Sequence, residues 1–89
     1  MMTDINKIAL VTGANRGIGL ETCRQLAKLG ITVILSSRDS TKGKQATRQL
    51  EKEGLKVVFH QLDITDEHSI KQIESFVHKQ YGRLDTFQR

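Results

Sequence analysis

The sequence predicts an α/β fold, a doubly wound parallel sheet of which it holds the first half in the order β-α-β-α-β-α. Three observations carry this. Short apolar runs recur at Ile8–Val11 and over residues 31–35 and 56–62, as strands buried on both faces show. A stretch with helical spacing follows each run. The strand-to-helix connections are short, so each helix serves as a right-handed crossover to a parallel neighbour.

The first run, Ile8-Ala9-Leu10-Val11, breaks at Thr12, and turn chemistry lasts to Gly19. From Ile18 onward Leu20, Cys23, Leu26 and Ala27 recur at helical spacing, and Gly30 supplies the stop. The second strand, Ile31-Thr32-Val33-Ile34-Leu35, is β-branched and ends in the polar group Ser36-Ser37-Arg38-Asp39. A second helix is expected over residues 44–53, where good helix formers place Ala46 and Leu50 on one face and Gly54 closes the run. Its apolar stripe is weak. Val57, Val58 and Phe59 make the third strand, and Asp63 sits where that strand gives out. Thr65 or Asp66 caps a third helix marked by Ile70, Ile73 and Val77, widened by Phe76 and Tyr81 and ended by Gly82. Over residues 84–89 the chain runs out, and a fourth strand is expected to be missing.

With 89 residues the chain is read as one domain, residues 1–89, with a thin core. Its 37 % hydrophobic and 27 % charged composition is that of a soluble globular protein. No apolar run approaches a bilayer-spanning length, and the opening MMTDINK lacks the pattern of a secretory signal, so a cytoplasmic location is expected and no membrane partner. The single cysteine, Cys23, has no disulfide or metal partner near it and reads as a small buried residue. The net charge of +4 invites a polyanion. Yet Lys42, Lys44, Arg48 and Lys52 are interspersed with Glu51 and Glu53, the pattern of a solvated helix face. Aromatic residues are too scarce for a base-stacking platform, and no nucleic-acid partner is expected. His60, His68 and His78 show no nucleophile or metal-ligand spacing, and Asp66 and Glu67 suit a helix start better than a catalytic carboxylate pair. No metal site is expected.

Chemistry concentrates in VTGANRGIGL, residues 11–20. Glycines that follow a buried strand and open a helix permit a tight turn and let a ligand approach the backbone without meeting a Cβ. A helix start also presents unpaired N–H groups and the positive end of the helix dipole. Its natural guest is a phosphate.

Thr12-Gly13-Ala14-Asn15-Arg16-Gly17-Ile18-Gly19 resembles the T-G-x-x-x-G-x-G cofactor motif of the short-chain dehydrogenases/reductases, and ANRGIGLE with a later arginine is most similar to the carbonyl-reductase type. Leu62-Asp63-Ile64 resembles the end of that family's third strand, and Tyr81-Gly82-Arg83-Leu84-Asp85 its run into the fourth, so the resemblance covers Lys7 to Asp85. It implies a Rossmann-type sheet and a cofactor held by Gly13, Asn15, Arg16, Gly17, Ile18 and Gly19, with Asp63 on the adenine amino group and the Ile64 backbone nearby.

At the end of the second strand an acid accepts hydrogen bonds from a free ribose 2′-hydroxyl, whereas an arginine favours a 2′-phosphate. The resemblance sets Ser37 where an NAD-preferring member carries its acid and Arg38 where an NADP-preferring member carries its phosphate clamp. Arg16 then reaches the same phosphate from the other side, and the cofactor reads as NADP(H). Asp39 reads as a helix cap, not as the ribose acid. For Asp63 a purely structural role in the turn stands beside adenine contact.

The family's asparagine segment and its catalytic serine, tyrosine and lysine are not found, and Tyr81 has Asp85 four residues on, so no catalytic residue is assigned. The resemblance implies the cofactor-binding portion of an oxidoreductase that transfers hydride between NADP(H) and a carbonyl or alcohol substrate. The alternative is a stand-alone nucleotide- or partner-binding module without chemistry. With the fourth strand missing, the first strand is expected to have an open apolar edge through which copies of the chain self-associate.

Overall fold

The computed structural model describes residues 7–82, 84 and 86–88. Residues 1–6 of the opening MMTDINK, which reads as lacking a signal, and Arg83, Asp85 and Arg89 of the closing run lie outside the described residues. The elements are β1 (Ile8–Val11), α1 (Gly17–Lys28), β2 (Thr32–Leu35), α2 (Ser40–Lys52), β3 (Val57–Phe59), α3 (Glu67–Tyr81) and β4 (Thr86–Gln88). All pairings are parallel, in the order β3-β2-β1-β4.

Parallel pairing sets Ala9 beside Val33 and Val11 beside Leu35 on one side of β1 and β2, and Ile8 and Leu10 alternate with them. Two buried clusters result, one per face. Val11, Val33, Leu35 and Val57 pack with Cys23 and Ala27 of α1 and Ala46 and Leu50 of α2. Ile8, Leu10 and Ile34 pack with Leu62 and with Ile73 and Val77 of α3. The apolar strand runs are continuous because both of their faces are covered.

The expected missing strand is a correction. Thr86, Phe87 and Gln88 pair in register with Ala9, Leu10 and Val11, so β1 is an interior strand and has no open edge for self-association. Three residues without a long apolar run give little strand signal in the sequence. The α3 crossover brings them beside β1, where the β1 backbone supplies the partners. Two boundaries also shift. β3 spans three residues, although His60 and Leu62 still donate N–H to the Leu35 and Ser37 carbonyls at 3.1 and 3.0 Å, so the path stays extended beyond the ladder. α2 begins at Ser40, four residues before the expected start at residue 44, because Asp39 accepts the Lys42 N–H and caps it there. Gly30, Gly54 and Gly82 follow their helices with positive φ, as helix stops should.

Under α3 an apolar cavity of about 410 Å³ opens between Leu10, Leu62, Ile70, Ile73, Val77 and Leu84. Among the described residues no helix is long and apolar enough to cross a membrane.

Candidate functional site

Parallel strands end together, so the segments leaving β1, β2 and β3 meet on one rim. A groove of about 930 Å³ runs along it, lined by Val11 to Gly13, Asn15, Arg16, Ile18, Gly19 and Thr22 from the first segment, Ser37 to Asp39 and Lys42 from the second, and Leu62 to Thr65 from the third.

The first segment is a tight turn clipped to β2 by the Ala14 N–H on the Ser36 carbonyl at 3.0 Å. Gly13 and Gly17 both adopt φ +62°, and a Cβ on either would meet nothing within 4 Å; the backbone angle demands glycine, and the space beyond it is open. Gly19 answers a different need. A Cβ there would stand 2.9 Å from both the Ala14 Cα and the Gly13 carbonyl oxygen. Arg16 is the N-cap of α1 with an extended backbone; no side chain caps the helix, and no acid lies in its first turn. The first α1 amides thus keep their hydrogen-bonding capacity, and the positive end of the dipole is uncancelled.

In the second segment Ser37 is buried, and its hydroxyl donates to the Asp39 carbonyl at 2.8 Å. The Asp39 carboxylate is occupied by the Lys42 N–H at 3.0 Å, which bears out its reading as a cap. Arg38 and Lys42 stay exposed, and Gln61 Nε2 holds the Arg38 carbonyl at 3.1 Å. Arg16, Arg38 and Lys42 therefore place three cations around one groove.

In the third segment Asp63 Oδ1 accepts both the Thr65 hydroxyl at 2.6 Å and the Thr65 N–H at 2.9 Å. These bonds, helped by the charge of Arg38, hold its carboxyl below the usual 3.8. Neither bond uses Oδ2. The structural role weighed for Asp63 is therefore present, and it leaves one carboxylate oxygen over.

Nine of the ten residues expected at the site line the groove; Gly17, the first residue of α1, is the exception. Thr12, Thr22, Asp39, Lys42 and Thr65 also line it. Lys42 was legible in principle, since it stands three residues beyond a capping aspartate and hence in the first helical turn. Grouped with Lys44, Arg48 and Lys52, it reads from the sequence as part of a solvated helix face. Cys23 is buried under the sheet, and burial pushes its thiol up to about 12, where it is inert. Among the described residues no cluster of histidine, cysteine and carboxylates has the makings of a metal site.

Ligands of doubly wound sheets sit beyond the carboxyl ends of the strands where the strand order reverses, which here is beside β1. The groove lies at that point, and the chain is a doubly wound α/β unit whose candidate site occupies the position that class uses. A family model described as short chain dehydrogenase matches residues 7–88, and the chain belongs to the short-chain dehydrogenase family. It is similar to (-)-isopiperitenone reductase of Mentha piperita, 48 % identical over an alignment of 88 positions, which covers 94 % of this chain and 28 % of the relative. Carbonyl reductase (NADPH) 1 of Bos taurus is 47 % identical over 85 residues, covering 94 % of this chain and 31 % of the relative. Among solved structures, menthone neomenthol reductase of Mentha piperita superposes with a TM-score of 0.89 at 46 % identity over 92 % of this chain and 30 % of its own. The chain spans less than a third of the length of each.

Proposed function

We propose that the groove binds NADP(H), and that the chain is the cofactor-binding portion of an oxidoreductase acting on a carbonyl or alcohol substrate. The observation that carries this is the set of three cations, Arg16, Arg38 and Lys42, around a groove that also receives the uncapped start of α1. The residues fit such a cofactor. Open space beyond Gly13 and Gly17 admits a ligand against the backbone. The α1 amides suit a pyrophosphate. The three cations suit a 2′-phosphate, to which arginine donates charge-assisted bonds. Asp63 suits the adenine amino group through the oxygen its own turn leaves unused. When bound, the nicotinamide supplies or accepts the hydride. This chain's residues bind and orient the cofactor, and no proton transfer is assigned to any of them. The relatives' names support the reaction class, and a carbonyl reductase named with NADPH supports the phosphorylated cofactor.

Calorimetric titration with NADPH and NADH tests the assignment. Hydrogen bonds to charged groups contribute about 1.5–3 kcal/mol each, so two on the 2′-phosphate give a preference for NADPH on the order of 100-fold. Arg38→Ala is expected to remove at least a factor of about ten of that preference while leaving NADH binding nearly unchanged. Equal affinity of the wild-type protein for the two cofactors would sink the clamp.

A further inference from the structure

Asp63 is fixed at three of its atoms. Its carbonyl accepts the Asp66 N–H at 3.0 Å and Oδ1 accepts from Thr65, all within one turn. Its own N–H reaches outside the turn, donating to Ser69 Oγ at 2.9 Å. The bonds inside the turn travel with it wherever it moves; the Ser69 bond ties it to α3. Ser69 is the third residue of that helix, 7 % exposed, and does not line the groove. A serine so near a helix start ordinarily serves its own helix. Here Asp66 already caps α3 by accepting the His68 N–H at 2.9 Å, which leaves the Ser69 hydroxyl to a residue outside the helix. One residue before Asp63, buried Leu62 packs with Ile73 and Val77 of the same helix while lining the groove. The rim segment is thus pinned to α3 by an apolar contact at Leu62 and a polar one at Asp63.

We propose that Ser69, from outside the groove, is a positioning residue that aims Asp63 at the adenine end of the ligand. The proposal rests on the NADP(H) reading of the groove. Without the hydroxyl the partly buried Asp63 N–H loses its partner, and the unused carboxylate oxygen loses its fixed direction.

The test is calorimetric titration of the full chain with 2′,5′-ADP, which carries the adenine and the 2′-phosphate, beside inorganic pyrophosphate, which carries neither. Ser69→Ala is expected to weaken 2′,5′-ADP about five-fold, the worth of about one hydrogen bond, and to leave pyrophosphate unchanged. Ser69→Thr keeps the hydroxyl and restores binding; Ser69→Cys, nearly the same size with a weak acceptor, behaves like the alanine variant and carries the comparison if that variant fails to fold. In an Asp63→Ala background Ser69→Ala loses nothing further, because the two act through one group. Wild-type affinity in both the alanine and cysteine variants, an equal loss for both ligands, or an undiminished loss in the Asp63→Ala background makes Ser69 a general support of the fold and overturns the proposal. Failure of the wild-type protein to bind 2′,5′-ADP overturns the reading of the groove instead.

Discussion

At Gly19 the obstacle to a side chain is the Gly13–Ala14 backbone, so no rotamer change relieves it. Gly19→Ala is therefore expected to cost about 1–3 kcal/mol in urea denaturation and to push the turn away from α1, weakening NADPH binding in the same titration. Gly17→Ala meets no neighbour and costs only the left-handed backbone, about 1–2 kcal/mol. Cys23 makes a prediction of opposite character. Burial raises its thiol from the usual 9.0 to about 12, so the folded state holds the proton more tightly than the unfolded one. The resulting stability is complete below pH 9.0 and is lost as pH rises towards about 12. Denaturation curves across that window are expected to show an alkaline decline that Cys23→Ala diminishes, and a thiol reagent is expected to label Cys23 only on unfolding.

Among the elements, α2 depends most on its ends. It buries Gly43, Ala46, Thr47 and Leu50, a narrow stripe. A Cβ on Gly43 would stand 2.1 Å from Phe59 Cε1 and 2.7 Å from Ser37 Oγ, so the helix lies close on β3 and on the start of the groove. Its N-cap carries correspondingly more weight. Asp39→Ala is expected to cost about 1 kcal/mol in thermal or urea unfolding, and Asp39→Asn, which keeps the cap, only a few tenths. At the other end Arg24 of α1 grips Glu53 through Nε at 2.8 Å and Nη2 at 3.0 Å. That fork joins the two helices on one face of the sheet, and screening by solvent keeps its contribution small. The helices were legible in the sequence because a 3.6-residue period shows wherever one face is buried. The first turn of α2 was not, since Ser40 to Gly43 show no apolar period and only the fit of Gly43 against Phe59 makes a glycine welcome there.

At the scale of the whole molecule, the decisive feature is the fourth strand. β4 covers the edge of β1, a strand buried at all four positions and the one from which the glycine turn departs. A chain shortened to end at Gly82 has that edge open, and sedimentation at rising concentration is expected to show it associating while the 89-residue chain does so less. Identical sedimentation of the two would remove β4 from any role in protecting β1. The sheet order also fixes the groove, because three parallel strands delivering their ends to one rim gather Arg16, Arg38 and Asp63 from positions far apart in the chain.

The sequence by itself determined the alternation of strands and helices, the turn that needs Gly13 and Gly17, and the chemistry available at the strand ends, because periodicity and backbone angle are local properties. Tertiary structure alone decided that residues 86–88 pair with β1, that Lys42 joins the two arginines, and that Ser69 holds Asp63 from outside the groove. Each of these depends on a partner distant in the chain. A three-residue strand, a lysine in a first helical turn and a buried serine acquire their roles only when packing supplies a β1 backbone, a shared rim or an N–H in need of an acceptor.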